Sequence, residues 1–247
     1  MNIIRTAKPY YSLYDLILKE INPTEEEIKD GYLLHRDCGM KAHVISSKGN
    51  IPICNVSFED LIVPSIKLAI KPISLYKDKD FDHIRDRAKD SLERLIDVET
   101  FRLLACATQN EHTIKSHLTK VDDETFNFLI GLIESHDLPT GLFILNPLTY
   151  RQIESQLYLH DKHNPKNTYV SRYDTIPIYT SVMCQQNIIF LVAQKEYVGV
   201  LVNYGLEENK IIELAEPIEE SKCGFEIIKS LGFAVVNDYA VAKIICT

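Results

Sequence analysis

A chain of 247 residues with 45% hydrophobic and 25% charged residues can fill one large core or two small ones. Its formal net charge of -8 excludes a bulk electrostatic attraction to nucleic acid or to an anionic membrane. No apolar run approaches ~18 residues, and Arg5, Lys8 and Asp15 interrupt the N-terminus, so neither a transmembrane span nor a signal peptide is read.

Residues 1–30 read as an extended arm with one short helix. In "NPTEEEIKDG", Thr24 suits an N-cap, Glu27 stands three residues on, and Gly31 suits a stop. Residues 32–58 mix short β-prone runs around a loop tip at Ser46 to Asn50. A hairpin this polar cannot build its own core and must lie on something else. In "DLIVPSIKLAIKPISL" (60–75), Ile66, Leu68 and Ile70 alternate with Lys67, Ala69 and Lys71, a strand period. Pro64 and Pro72 punctuate it and argue against a central, fully paired strand.

Residues 78–110 hold the strongest element. Phe81, Ile84, Ala88, Leu92, Leu95, Leu103 and Cys106 follow three- and four-residue steps, charges fill the other face, and no Gly or Pro intervenes. A helix over 80–109 is expected, a rod of roughly 45 Å where an average helix has ~11–12 residues. A second amphipathic helix is expected over 122–139, a buried strand over 140–147, and a third helix over 148–159 after Pro147. "IPIYTS", "NIIFLVAQ", "KEYVGVLVNYG" and "KIIELAEPIE" read as strands. The chain closes on "LGFAVVNDYAVAKI", read as two strands joined by a turn at Asn237-Asp238.

Chemistry-bearing clusters are sparse. His35 with Cys38 and His160 with His163 are the nearest to ligand pairs, but more than 120 residues part them, and they read as solvated loop residues. The six cysteines (38, 54, 106, 184, 223, 246) form no CxxC pair and read as small buried thiols of a reducing, intracellular compartment. Cys106, late in the long helix among Leu, Ala and Thr, reads as a packing residue. No phosphate-loop, dinucleotide, nucleophile-elbow or zinc-protease motif occurs. No catalytic, cofactor-binding or metal-ligating residue is therefore assigned, and no cofactor or enzymatic activity is expected. The arm, the hairpin and the charged face of the long helix read together as surfaces made for partners.

Several ordered blocks resemble the major capsid proteins of tailed phages, the HK97-type fold. "VPSIKLAIKPISLYKDKDFDHIRDRAKDSLERLIDVETFRLLACA" (63–107) resembles the family's strand leading into its spine helix. "TGLFILNPLTYRQI" (140–153) is similar to its strand ending in Asn-Pro before a helix. "DTIPIYTS…NIIFLVAQKEYVGV" (174–200) resembles a further strand pair, with Thr175 where the family has glycine. "LGFAVVNDYAVAKI" is similar to its closing segment. The resemblance spans residues 35–247; the arm before it matches nothing nameable.

The resemblance implies an α+β, HK97-like capsid fold. Its parts would be an N-terminal arm (1–34), an extended loop (35–59), a peripheral domain (60–120 and 218–247) with the spine helix at 80–109, and an axial domain (121–217). It implies a major capsid protein that self-assembles, as hexamers and pentamers, into an icosahedral head around packaged double-stranded DNA. The partners implied are other copies of itself, portal, scaffolding and decoration proteins, with DNA touched only weakly and no membrane. The place implied is the virion, after synthesis in the host cytoplasm. No scaffold segment is read before the hairpin, so a separate scaffolding protein is expected. Some family members cross-link a loop lysine to a neighbouring asparagine; Lys41 or Lys48 would be the loop candidates, and that activity is not carried over. Two other readings stand beside this one: an encapsulin-type nanocompartment shell, and a soluble α+β enzyme without a readable motif.

Overall fold

The computed structural model describes residues 12–24, 27, 31–34, 40–48, 51–57, 60–70, 73–74, 81–108, 111–160, 169–205, 212–213 and 223–247. The first elements are a single helical turn, α1 (Tyr14–Ile17), and β1 (Lys19–Ile21). Neither has a sequence signature, because three or four residues carry no period. The helix expected within 24–31 lies mostly outside the described residues. Thr24 and Glu27 do make the side-chain half of a capping box: the Glu27 carboxylate accepts the Thr24 amide at 2.7 Å and the Thr24 hydroxyl at 2.8 Å.

β2 (Tyr32–Leu34) is followed by the hairpin β3 (Ala42–Lys48) and β4 (Ile51–Ser57), which pairs from Ala42↔Ser57 to Lys48↔Ile51. The strands run closer to the tip than expected, leaving only residues 49–50 between them. The single alternating run at 60–75 is three strands: β5 (Leu61–Val63), β6 (Ile66–Ile70) and β7 (Ile73–Ser74). Pro64 falls in the first break, as a residue without an N–H to donate should, and Pro72 lies outside the described residues. β6 keeps the expected alternation, Ile66 and Leu68 buried and Lys67 and Ala69 exposed.

The long helix is α2 (Phe81–Ala107), 27 residues. Its buried stripe runs Ala88, Leu92, Ile96, then Leu103, Leu104 and Ala107. The four-residue step to Ala107 wins at the end, so Cys106 is turned outward and exposed, a correction to its expected packing role. A second correction concerns the charged face: Asp97 is 0% exposed and is the anchor of α1. It accepts the amides of Leu13 (3.1 Å to each oxygen) and Tyr14 (2.9 Å). One turn earlier stands Glu93, and burial first, then the Glu93 carboxylate, raises the Tyr14 pKa.

The rest of the chain carries β8 (Thr113–Ser116), α3 (Asp123–Glu134), β9 (Thr140–Leu145), α4 (Pro147–Ile153), β10 (Leu159–His160), β11 (Ser171–Tyr173), β12 (Ile176–Thr180) and β13 (Ile188–Ala193). Asp122 caps α3 through the Thr125 amide at 3.0 Å, and Asn146 caps α4 through the Leu148 amide at 2.9 Å. Both helices are shorter than expected. α3 ends at Glu134, and Asp137, with a left-handed φ of 57°, turns the chain toward Pro139 and β9. α5 (Lys195–Val198) is a helical turn where a strand was expected to start; β14 (Gly199–Asn203) follows it. β15 (Ile212–Glu213), β16 (Cys223–Val235) and β17 (Val241–Cys246) complete the chain.

Two sheets hold these elements together. In the first, β16 is the spine: along its 13 residues it pairs with β7, β15, β6, β14 and β3, with β1 and β4 on the outside. The second runs β10-β11-β12-β9-β13-β17-β8. β13 is buried at every position because both its faces are covered. Phe190 stacks on Phe101 of α2 at 6.3 Å, while Phe143 of β9, paired with the next residue Leu191, stacks on Phe126 of α3 at 4.3 Å. The last two strands are not the hairpin that their flanking of Asn237-Asp238 suggests. Asn237 caps a short 3-10 turn, Asp238–Ala240, that carries the chain from one sheet to the other. The sheets interleave in sequence: β14 joins the first, and β8 and β17 the second.

Gly199 sits where β14 meets β16, and a Cβ there would lie 2.0 Å from the Ala234 carbonyl oxygen. Its φ of 174° is ordinary extended backbone, so the constraint is space alone. Gly199→Ala is expected to cost about 1–3 kcal/mol, read as a lower denaturant midpoint at unchanged slope.

Candidate assembly surfaces

The hairpin has two unlike faces, set by its register. Opposed residues of an antiparallel pair share a face. His43 with Val56 and Ile45 with Cys54 form one face, and Ile45 belongs to the core that includes Leu103 and Leu104 of α2. Val44 and Ala42 lie on the other face, in a smaller core with Leu61, Val63, Val202 and Ala234. The hairpin thus lies on the fold at its base, as its polarity required. β4 ends the strand order of its sheet, and Ile53 and Val56 on it are exposed. An edge strand carrying exposed apolar side chains is a template for another chain.

β2 and β5 form a separate two-stranded sheet beside the hairpin. Tyr204 braces it: its hydroxyl accepts the Tyr32 amide at 3.0 Å and donates to the Val63 carbonyl. Leu33 and Ile62 oppose each other on its outer face, 48% and 50% exposed. Leucine and isoleucine paired outward make an apolar patch on the described surface of the chain. Further exposed apolar side chains, Phe128, Leu148, Tyr158 and Val182, stand on or beside the elements of the second sheet.

A polar pocket of about 300 Å³ opens at the hairpin base, lined by Lys41, His43, Cys106, Thr108, Glu111 and Asp238. Asp238 is 0% exposed, and among the described residues neither of its carboxylate oxygens has a hydrogen-bond partner. Beside it, His136 stacks on Tyr239 with ring centroids 4.0 Å apart, and the His112 ring is tilted against both. Burial, first, holds the His112 pKa below its usual value.

The residues singled out in the sequence are dispersed. Lys41 lies at the pocket and Lys48 at the far end of β3, so they stand at opposite ends of the strand. His160 is on β10, exposed, with its ring 5.0 Å from Tyr158. His35, Cys38 and His163 lie outside the described residues. Among the described residues no group of three or more His, Cys, Asp or Glu side chains converges as a metal site, and no helix is long and apolar enough to cross a membrane. Sequence reasoning passes over Asp97 and Asp238. For Asp97 a signal exists: it lies next to Ile96 and four residues before Phe101, inside the apolar stripe.

No protein-family model and no curated protein matches the chain. Solved structures do. A structure from Microbacterium phage Oxtober96 matches with TM-score 0.67 at 13% identity, over 100% of this chain and 95% of that one. The capsid of an empty GTA particle matches with TM-score 0.66 at 12% identity, over 99% and 92%. A holo encapsulin complex from Synechococcus elongatus matches with TM-score 0.55 at 11% identity, over 86% and 84%. At these identities the likeness is one of fold.

Proposed function

We propose that this chain, which has the HK97-type α+β fold, is the repeating subunit of a closed protein shell, the major capsid protein of a phage-like particle. The observation that carries the reading is the match of fold over 99% of the chain to the capsid of a GTA particle. The exposed edge of β4 and the outward Leu33–Ile62 pair supply what such a subunit needs: apolar surface for neighbours to cover. Many modest contacts then add up through multivalency, and a head-to-tail contact closes into a ring when its rotation closes. An acidic chain suits a wall that does not grip packaged DNA. Portal, scaffolding and decoration proteins would be its partners, and the virion its place.

Electron microscopy of the purified chain tests this. Uniform hollow particles are expected; a monodisperse monomer at high concentration would overturn it. An encapsulin-type shell is the second reading, favoured by the match to the encapsulin complex but over a smaller share of both chains. Nuclease-protected DNA in native particles supports the capsid, and protein cargo supports the compartment.

Ile62→Asp is expected to leave the subunit folded, within about 0.5 kcal/mol, because the side chain faces outward. It should lower the yield of particles in sedimentation, since every copy carries the new charge into its contact. Normal particle yield would remove the β2–β5 face from the assembly contacts.

A further inference from the structure

We propose that the polar pocket at the hairpin base is a binding site for a small organic cation, a primary ammonium on a short alkyl chain. Its lining divides into a rim and a floor. Lys41, Cys106 and Glu111 are exposed and form the rim, while His43, Ala107, Thr108 and Asp238 are buried and form the floor. Three parts of the chain meet there: the start of β3, the end of α2, and the 3-10 turn that carries the chain between the sheets. Asp238 brings a carboxylate that is 0% exposed, and among the described residues neither of its oxygens has a hydrogen-bond partner. A buried carboxylate without a partner is costly, and native folds keep few of them.

The floor asks for donors. The Thr108 hydroxyl gives its one hydrogen to the Leu104 carbonyl at 2.7 Å, so its oxygen is left only with lone pairs. An ammonium brings three N–H donors together with the charge that answers a desolvated carboxylate. Lys41 and Glu111 on the rim are opposite charges in contact with water, which screens them, so Asp238 sets the sign of the site. Ala107 puts a methyl on the same floor, against which an alkyl chain can lie. A bare divalent ion fits less well. It takes about six oxygen ligands, and among the described residues no three His, Cys, Asp or Glu side chains converge. The volume of about 300 Å³ stands at the lower end of small-molecule sites, roughly 300–1,000 Å³. The carboxylate oxygens are closed to bulk water, so the ammonium reaches them as Asp238 turns about its two side-chain bonds.

The test titrates the full-length protein at pH 7 with n-butylammonium chloride, against sodium chloride at equal ionic strength and neutral n-butanol. The ammonium alone should raise Tm with concentration and slow amide exchange at residues 106–108 and 238–240. Asp238→Asn should raise Tm without ligand, because it removes a buried charge, and weaken the response about tenfold or more. A purely structural carboxylate would give the opposite sign of Tm. Glu111→Gln, on the exposed rim, should leave the response in place. Equal effects of the ammonium and either control, or no local slowing of exchange, would overturn the proposal, and this readout needs no variant. So would a Tm lowered by both Asp238→Asn and Lys41→Met, which would make the chain's own lysine the occupant. The source of the ammonium separates in the same way. Slowing on addition of amine assigns a free ligand, and slowing that accompanies assembly without amine assigns a lysine of another copy. The titration reads the subunit itself, so its outcome is independent of whether particles form.

Discussion

Removing residues 231–247 is expected to abolish folding. The deletion takes the half of β16 that pairs with β14 and β3, and all of β17, which separates β13 from β8. Leu231, Phe233, Val235, Val241 and Ile244 are each 0% exposed. At about 1.5–3 kcal/mol for each large apolar side chain buried, their loss alone is on the order of 10 kcal/mol. That equals the whole stability of an ordinary domain, about 5–15 kcal/mol. Expression should give insoluble chain, or soluble chain without a cooperative melting transition by circular dichroism. A truncated protein that melts cooperatively would show that neither sheet depends on the tail. The single change Phe233→Ala, at about 3–5 kcal/mol, should give a folded but much weakened protein.

Asp97→Ala is expected to release the segment 12–21 while leaving both sheets in place. The carboxylate accepts two backbone amides of α1 and its N-cap, so its loss strips charge-assisted bonds and leaves buried N–H groups without that acceptor. About 3 kcal/mol is at stake, with tenfold in equilibrium for every ~1.4 kcal/mol. Amide hydrogen exchange in residues 12–21 should therefore quicken by about 100-fold, with residues of β13 and β17 unchanged. Asp97→Asn keeps an acceptor without the charge and should fall between. Unchanged exchange in the alanine variant would mean that β1 pairing with β14, and not Asp97, holds the segment.

Elements whose signal repeats within the element are legible in the sequence. The long helix, the hairpin, α3 and the apolar strands β9 and β13 each carry a period or a continuous apolar run, so local chemistry names them. α1 and β1 are not legible, because a single turn has no period and its anchor, Asp97, is 83 residues away from Tyr14. Cys106 escapes its pattern for a related reason: Leu103 can be continued by three residues or by four, and only the neighbours of the helix end choose. The polar pocket gathers Lys41, Cys106 and Asp238 from distant parts of the chain, and no spacing announces it.

The closing segment divides the two kinds of knowledge. Its composition by itself determined that Leu231 to Ile244 is buried strand, since such apolar density cannot stay in water. Its order of blocks also carried the resemblance to the capsid fold. Which sheet each strand enters was decided only by tertiary structure. Two strands flanking Asn237-Asp238 look alike whether they pair with each other or part, because a strand's pattern states which face is apolar and not which neighbour covers it. Here Asn237 turns the chain out of the first sheet and into the second, and the two strands pin both layers at once.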